Sequence, residues 1–156
     1  MREDLQAKLF AKYPQIFAQK DLDMQQTNMC WGIDCGDGWY AILDTLCGQI
    51  QNHLDWKNKQ GRYSKYVGTV VESERVPQVE AVQVKEKFGG LRFYYVGGDD
   101  YVRGAVDLAE GLSLRTCEVC GSPGRQTKQG WIVTLCQTHA GEKNVQLSDE
   151  DKQTEE

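Results

Sequence analysis

The sequence has little of what a membrane protein or a common class of enzyme requires. No apolar run approaches the roughly 18–20 residues that span a bilayer. The N-terminal "MREDLQAKLF" has no apolar stretch after its charges, so we expect no signal peptide and a cytoplasmic protein. There are only two histidines, and no Ser/His/Asp order, Walker loop or dinucleotide fingerprint is present. These absences favour a non-enzymatic protein with no membrane partner, with a small hydrolase as an alternative.

Positive charge is also in deficit. The net charge is −5, and residues 141–156 carry six acidic side chains and two lysines, which account for −4 and leave about −1 for the rest of the chain. A nearly neutral body exerts no general attraction on phosphate backbones. Any nucleic-acid site must therefore be a local patch.

Length and composition suit one compact domain with a small appended module. The chain has 156 residues, of which 40% are hydrophobic. We predict an α+β body over residues 1–115, a zinc-ribbon module over 116–140 and an acidic, disordered tail over 141–156. The body is expected to be a small antiparallel sheet or hairpin packed on two main helices.

The first main helix is predicted to begin near Asp37, a suitable N-cap, and to continue to Trp56. Its apolar residues recur at steps of three and four and form one stripe, which we assign to the core: Trp39, Leu43, Leu46, Ile50 and Leu54. A shorter helix is predicted over residues 2–12, ended by Pro14, with a loop over 21–36.

The second main helix is predicted from about Tyr101 to Leu114, with Asp99 or Asp100 as its cap. Its predicted buried stripe consists of Val102, Ala105, Ala109 and Leu112.

Strands are predicted over residues 67–71, 78–86 and 91–96, where β-branched and aromatic residues alternate with polar ones. Gly89 and Gly90 suit a two-residue hairpin turn, because both tolerate positive φ. Leu91, Phe93 and Tyr95 would then share the face that packs on the helices.

Two pairs of potential metal ligands lie in the C-terminal module. Cys117 and Cys120 are separated by two residues, as are Cys136 and His139. This spacing is typical of tetrahedral zinc. Four protein ligands leave no position for water, so we expect one structural Zn²⁺ rather than a catalytic one. Buried or reactive thiols beside an unrelated histidine are the alternative.

A second group of cysteines lies nearer the N-terminus. The spacing of Cys30, Cys35, Cys47 and His53 is irregular, so core cysteines and a partly buried histidine are expected, with a second metal site as the alternative.

Two acidic pairs, Asp34 with Asp37 and Asp99 with Asp100, could bind Mg²⁺ or act as general acid and base. Capping of the two main helices explains them more simply.

Two basic regions could contact a partner. Lys85, Lys87, Arg92 and Tyr94 decorate the outer face of the predicted hairpin, and we predict a partner-binding surface there. The segment 57–66 is predicted to be a basic loop. It is either a solvated loop or a surface that stacks on bases and contacts phosphate. The basic and aromatic residues concerned, including the aromatic residue just before the loop, are Trp56, Lys57, Lys59, Arg62, Tyr63, Lys65 and Tyr66.

Four sequence segments occur together in the order "CGDGWYAILDTLC", "VQVKEKFGGLRFYYVG", "AEGLSLRTCEVCGSPG" and "GWIVTLCQTHA". In that order they resemble a widespread family of small, uncharacterised bacteriophage and prophage proteins, over roughly residues 30–140. The resemblance implies a phage accessory protein, and no catalytic residues carry over from it. We therefore expect a protein that binds a host protein or a nucleotide signal and inhibits antiviral defence. A zinc-ribbon nucleic-acid-binding regulator is the first alternative and a small hydrolase the second.

Overall fold

The computed structural model describes residues 1–63 and 75–149. Within these ranges the chain is α+β, as predicted, and no helix there is long and apolar enough to cross a membrane. The helices and strands occur in the order α1 Glu3–Lys12, β1 Ile33–Asp34, α2 Tyr40–Tyr63, β2 Glu80–Lys87, β3 Gly90–Val96, α3 Asp100–Ser113, β4 Arg125–Gln126, β5 Thr134–Leu135 and α4 Gln137–Glu142.

The body contains a three-stranded mixed sheet in the order β1-β2-β3. Strands β2 and β3 form the predicted antiparallel hairpin, with Val84 opposite Phe93. Strand β1 pairs in parallel with β2, with Ile33 opposite Val84. The expectation of a loop over 21–36 and of a purely antiparallel sheet is therefore wrong. A strand of two residues is too short to produce the alternation by which strands are recognised in a sequence.

The hairpin turn lies one residue earlier than predicted. Phe88 and Gly89 occupy its two central positions, both with positive φ (53° and 76°), whereas Gly90 already belongs to β3. Positive φ at both positions matches the twist of the flanking strands. A Cβ at Gly90 would lie 2.9 Å from Leu114 Cδ2, so the end of that side chain would have to shift.

The predicted apolar stripe of α2 is confirmed. All five of its residues are buried in one cluster with side chains from α1, the sheet and α3. Cys35 and Cys47 belong to the same cluster, and burial raises the pKa of the Cys35 thiol to about 12. Burial also raises the pKa of Cys47, so both thiols are protonated core residues, as expected, whereas Cys30 is half-buried and lies outside the cluster.

Both ends of α2 differ from the prediction. Gly36, not Asp37, lies at the N-cap of the short 3-10 turn Asp37–Trp39 that leads into α2, and the Asp37 carboxylate instead accepts from the backbone N–H of Arg2 at 2.8 Å. At the other end, α2 continues to Tyr63, so a helix replaces the first part of the predicted basic loop. Lys65 and Tyr66, with the strand predicted over 67–71, lie outside the described residues, as do the side chains of Lys59, Arg62 and Tyr63.

Helix α3 begins as predicted, with Asp99 as its N-cap accepting from the Val102 N–H at 3.2 Å. Val102 and Ala109 are buried and Ala105 is half-buried. Leu112 is 50% exposed, so its assignment to the core is wrong. It lies on the side of α3 that faces α2, whereas the next residue, Ser113, is buried.

The free edge of β3 is covered by α3. The backbone N–H of Leu91 donates to Ser113 Oγ at 2.8 Å, and that of Phe93 donates to Glu110 Oε1 at 3.0 Å. Side chains of the helix thus satisfy donors that an edge strand leaves unpaired. These bonds fix α3 against the hairpin and direct its C-terminus toward the cysteine pairs.

Candidate metal centre

The four predicted ligands come from the two ends of a short hairpin-like segment. Cys117 and Cys120 follow α3 directly, while Cys136 and His139 lie at the start of α4. Between them β4 and β5 pair in antiparallel fashion, with Gln126 opposite Thr134. This pairing returns the chain to its starting point and brings the second ligand pair beside the first.

The ligand atoms have the spacing of a small coordination sphere. The distances are 3.5 Å from Cys117 Sγ to His139 Nδ1, 3.2 Å from Cys136 Sγ to the same nitrogen, and 3.8 Å from Cys120 Sγ to Cys136 Sγ. All four atoms lie within 4.8 Å of one another. Bond lengths of about 2.3 Å to sulfur and 2.0–2.1 Å to nitrogen give tetrahedral edges of roughly 3.8 Å for S···S and 3.6 Å for S···N. The tetrad can therefore hold a metal ion.

The turn that contains Cys117 and Cys120 favours the thiolate form of Cys120. The N–H of Gly121 donates to the Cys117 carbonyl at 2.8 Å, and Gly121 has a φ of +80°. This conformation aims the N–H and hydroxyl of Ser122 at Cys120 Sγ, which lowers the pKa of Cys120 to about 6. The exposed Cys120 is thus ready to ligate a cation at neutral pH.

The other ligands have different electrostatic surroundings. Burial raises the pKa of Cys117, whereas the N–H of His139 lowers the pKa of Cys136. The Cys136 thiolate in turn raises the pKa of His139, because it stabilises the imidazolium. A cation would replace the protons on Cys117 and His139, so the apparent affinity for metal falls as the pH falls.

We call residues 116–149 the Cys/His module, and the segment "CGDGW" is its first docking point on the body. The N–H of Gly38 donates to the Glu118 carbonyl at 2.8 Å, and the indole of Trp39 donates to the Thr116 carbonyl at 2.8 Å. The backbones approach so closely that a Cβ on Gly38 would lie 2.2 Å from the Cys117 oxygen. Gly36 is restricted in the same way by Glu118. The glycines of this segment thus allow the body to contact the ligand-bearing turn.

The hairpin turn of the body is the second docking point. Thr134 Oγ1 donates to the Gly89 carbonyl at 2.6 Å, and the Gln126 side chain donates to the Phe88 carbonyl at 2.8 Å. The double-glycine segment therefore contacts both strands of the module.

The structure of the module differs from the prediction in the length of its second strand and in the position of its C-terminal boundary. Only Thr134–Leu135 is paired, not Trp131–Leu135, and Trp131 is 79% exposed. Ordered pairing continues past residue 140, since Thr127 and Leu147 form an isolated antiparallel bridge. The chain from 141 to 149 thus belongs to the module and not to a separate tail.

The second cysteine group is not brought together. Across residues 1–63 and 75–149, the C-terminal tetrad is the one cluster of three or more potential ligands with metal-binding spacing. His53 is half-buried, hydrogen-bonded to Asp99 at 2.8 Å and stacked on Tyr101 at 4.1 Å between ring centroids. It is the partly buried polar residue that we expected.

The acidic residues of the two pairs have different surroundings. Asp34 is exposed on β1 beside Lys85, whereas Asp37 binds Arg2. Asp99 caps α3 and contacts His53, and the pKa of Asp99 is lowered because these hydrogen bonds outweigh its partial burial. Asp37 and Asp99 thus have local structural roles.

The four predicted partner-binding residues do not all face the same way. Lys85 lies 5.9 Å from the Tyr94 ring centre on the outer face of the sheet, and Lys87 lies 5.5 Å from that of Phe88 at the hairpin tip. Arg92 turns toward α3, 3.6 Å from Glu110. Lys85, Lys87 and Tyr94 therefore form an outward surface from which the Arg92 charge is partly withdrawn.

The sequence did not reveal an apolar groove of about 720 Å³ between α2 and α3. We call it the α2–α3 groove, and most of its lining is apolar or small, including Ala41, Ile42, Leu46, Gly104, Leu108 and Leu112. Leu108 is 65% exposed at its rim. The groove could have been inferred from the sequence of α3, because its apolar residues cover more of the helix surface than one buried stripe requires.

Comparisons with known proteins give no match, neither among protein-family models nor among curated proteins nor among solved structures. Membership of a phage family therefore stays a prediction. The function has to be argued from the chemistry of the tetrad and of the α2–α3 groove.

Proposed function

We propose that this chain is a non-enzymatic, zinc-stabilised binding protein whose α2–α3 groove accepts a helix of a host protein. The groove is the observation that carries the proposal. It is open to solvent, and Leu108 and Leu112 are 65% and 50% exposed although they are large and apolar. Exposed apolar surface of this kind is typical of sites where proteins bind partners.

The dimensions of the groove suit a helix. It follows α3 from Tyr101 to Leu112, which at 1.5 Å per residue is about 16 Å, or three helical turns. Because Ala41 and Gly104 have small side chains, the backbone of a second helix can approach this part of the groove closely. Helix-in-groove recognition uses apolar anchors on successive turns of this length.

A nucleotide signal suits the groove less well. Among the described residues that line it, Asp100 is the one charged side chain, and a carboxylate repels phosphate. Of the two partner classes expected from the sequence, a host protein is therefore the better match to this surface.

Zinc is the proposed metal, and its role is structural. Three thiolates and one imidazole in tetrahedral spacing are the ligands that zinc prefers. With four protein ligands there is no position for a reacting water, which supports a binding protein over a hydrolase. The family resemblance supports the remaining context: a phage accessory protein in the host cytoplasm that inhibits antiviral defence.

The test uses a variant that fills the groove without disturbing the fold. A Cβ on Gly104 would meet no atom within 4 Å, and Gly→Leu favours a helix. Gly141→Leu is the matched control, because Gly141 is equally open but lies on α4. Tagged wild type, Gly104→Leu and Gly141→Leu are recovered from host cells, and phage plating is measured on a defence-carrying host that expresses each.

We expect one host protein to co-purify with wild type and Gly141→Leu and to be lost with Gly104→Leu, in parallel with protection of the phage. Equal capture and equal protection by all three proteins would contradict the groove as the functional site. Elemental analysis of the same preparations should give one zinc per chain.

A further inference from the structure

We propose that the metal centre is also an oxidation site, at which a hydroperoxide joins Cys120 and Cys136 in a disulfide and the metal is released. This inference rests on the metal site of the proposed function and is independent of its α2–α3 groove. It follows from the unequal exposure of the three thiols of the tetrad and from the distance between two of them.

The three thiols of the tetrad differ in exposure. Cys120 is the one exposed cysteine among the six of the chain, all of which lie within the described residues. Cys136 is half-buried, and Cys117 is fully buried in the apolar cluster of the module. The susceptibility of a thiol to oxidation follows its thiolate character and its exposure. A hydroperoxide dissolved in water therefore reaches Cys120 first.

The sulfur of Cys136 is placed to complete a disulfide. It lies 3.8 Å from Cys120 Sγ, although the two residues belong to different ligand pairs. A disulfide bond is about 2 Å long, so a movement of roughly 2 Å joins the two sulfurs. Because Cys120 lies at the surface, this movement does not require the core of the module to open.

Cys117 is the competing partner, since it belongs to the same ligand pair as Cys120. Its sulfur accepts hydrogen bonds from the backbone N–H groups of Val119, Cys120 and Cys136. Hydrogen bonds to a ligand atom fix its orientation. Moving Cys117 toward Cys120 would break these bonds and withdraw a side chain from the buried cluster. The disulfide between the two ligand pairs is therefore preferred to the one within the first pair.

The reaction balances with a hydroperoxide as the oxidant. The Cys120 thiolate attacks the peroxide, the O–O bond breaks, and hydroxide leaves as Cys120 becomes a sulfenic acid. The Cys136 thiolate then attacks the Cys120 sulfur, so that the S–S bond forms, the S–O bond breaks and a second hydroxide leaves. The two thiolates together lose two electrons, which reduce one peroxide. Two of the four ligands are thereby consumed, and the tetrad no longer retains its metal.

The test titrates the zinc-loaded full chain with hydrogen peroxide. Zinc release is followed with a chromogenic chelator that leaves the reduced protein loaded. We expect about one zinc released per peroxide consumed, because one peroxide forms one disulfide. Peptide mapping after alkylation of the free thiols should link Cys120 to Cys136 and find Cys117 alkylated. A dithiol reductant with added zinc should restore the metal.

Two variants assign the reaction to the exposed position. Cys120→His keeps four potential ligands but removes the exposed thiol, so zinc release should slow by about tenfold or more. Cys30→Ser removes a thiol outside the tetrad and should release zinc like wild type. If Cys120→His does not retain zinc, Cys136→His replaces it, since the first step stays possible there. A sulfenic-acid probe such as dimedone should then label Cys120, and labelling of Cys117 instead would overturn the inference.

The remaining outcomes separate this inference from the proposed function. A zinc-loaded protein that keeps its metal at several equivalents of peroxide would overturn the oxidation site and leave the binding function intact. A disulfide between Cys117 and Cys120, or equal release from Cys120→His and wild type, would overturn it as well. A protein isolated without zinc would instead contradict the structural metal site, and the oxidation site with it.

Discussion

The body and the Cys/His module are stabilised in different ways. The body buries one continuous apolar cluster contributed by α1, α2, α3 and the sheet, whereas the buried apolar cluster of the module consists, among the described residues, of Cys117, Leu135 and Ala140. Each fully buried apolar side chain contributes about 1.5–3 kcal/mol, and each ordered residue costs about 1–2 kcal/mol of backbone entropy. The module therefore depends on its metal and on its two docking points, while the body depends on burial.

Metal removal should separate the two regions most strongly. Structural zinc in small modules supplies roughly 10–16 kcal/mol of apparent binding energy, which becomes folding energy. With a strong chelator, or in Cys117→Ser, we expect residues 116–148 to lose hydrogen-exchange protection while the amides of the β2–β3 hairpin core keep theirs. Cys30→Ser, which lies outside the tetrad, is the control and should retain its metal. Full hydrogen-exchange protection of the module after verified metal loss would contradict the claim that the module depends on its metal.

Gly38→Ala should weaken the first docking point. Its Cβ would lie 2.2 Å from the Cys117 carbonyl oxygen, so the two backbones must separate. Forced overpacking of this kind costs about 1–3 kcal/mol. We expect a lower melting temperature and easier proteolysis between α3 and β4. Gly111→Ala, an open site on α3, should instead be neutral or stabilising; a Gly38→Ala protein as stable as Gly111→Ala would exclude close docking.

Thr134→Val should weaken the second docking point by less. The substitution keeps the shape but removes the hydroxyl that donates to the buried Gly89 carbonyl. An unsatisfied buried acceptor costs about 1–3 kcal/mol, here at the lower end because Gln126 still binds the neighbouring carbonyl. Denaturant unfolding measures the difference, with the exposed Thr138→Val as control. Equal midpoints for the two variants would argue against this contact.

The smallest effect is expected within the body, at the cap of α3. Asp99 has a folded-state pKa below its unfolded value, so its ionised form stabilises the protein at pH values above the unfolded pKa of about 3.9. That contribution is lost as the pH falls through the folded pKa. Asp99→Ala should cost about 1 kcal/mol at pH 7 through loss of the cap. Thermal melts of wild type and variant should converge below pH 4, and a constant difference would contradict the assignment.

Features that depend on local spacing were predictable from the sequence. The two ligand pairs, the apolar stripe of α2 and the Asp99 cap each lie within a few residues of the partners that define them. The α+β class followed from the same local patterns.

Features that depend on distant contacts were not. The position of the hairpin turn depends on the register of β2 with β3, in which Gly90 lies opposite Lys87. The roles of Gly36 and Gly38 become visible only when Glu118 and Cys117 lie against them. Leu112 fits a buried stripe by its spacing, but it lines the open α2–α3 groove, which only the packing of the two helices reveals.

The central claim is that four side chains complete the coordination of one metal ion and leave it without solvent. Zinc-edge X-ray absorption of the protein as isolated tests this most directly. We predict three sulfur neighbours at about 2.3 Å and one nitrogen at about 2.0–2.1 Å, with no further oxygen. A spectrum with an additional oxygen ligand or with fewer than three sulfurs, or a protein without stoichiometric zinc, would contradict the account.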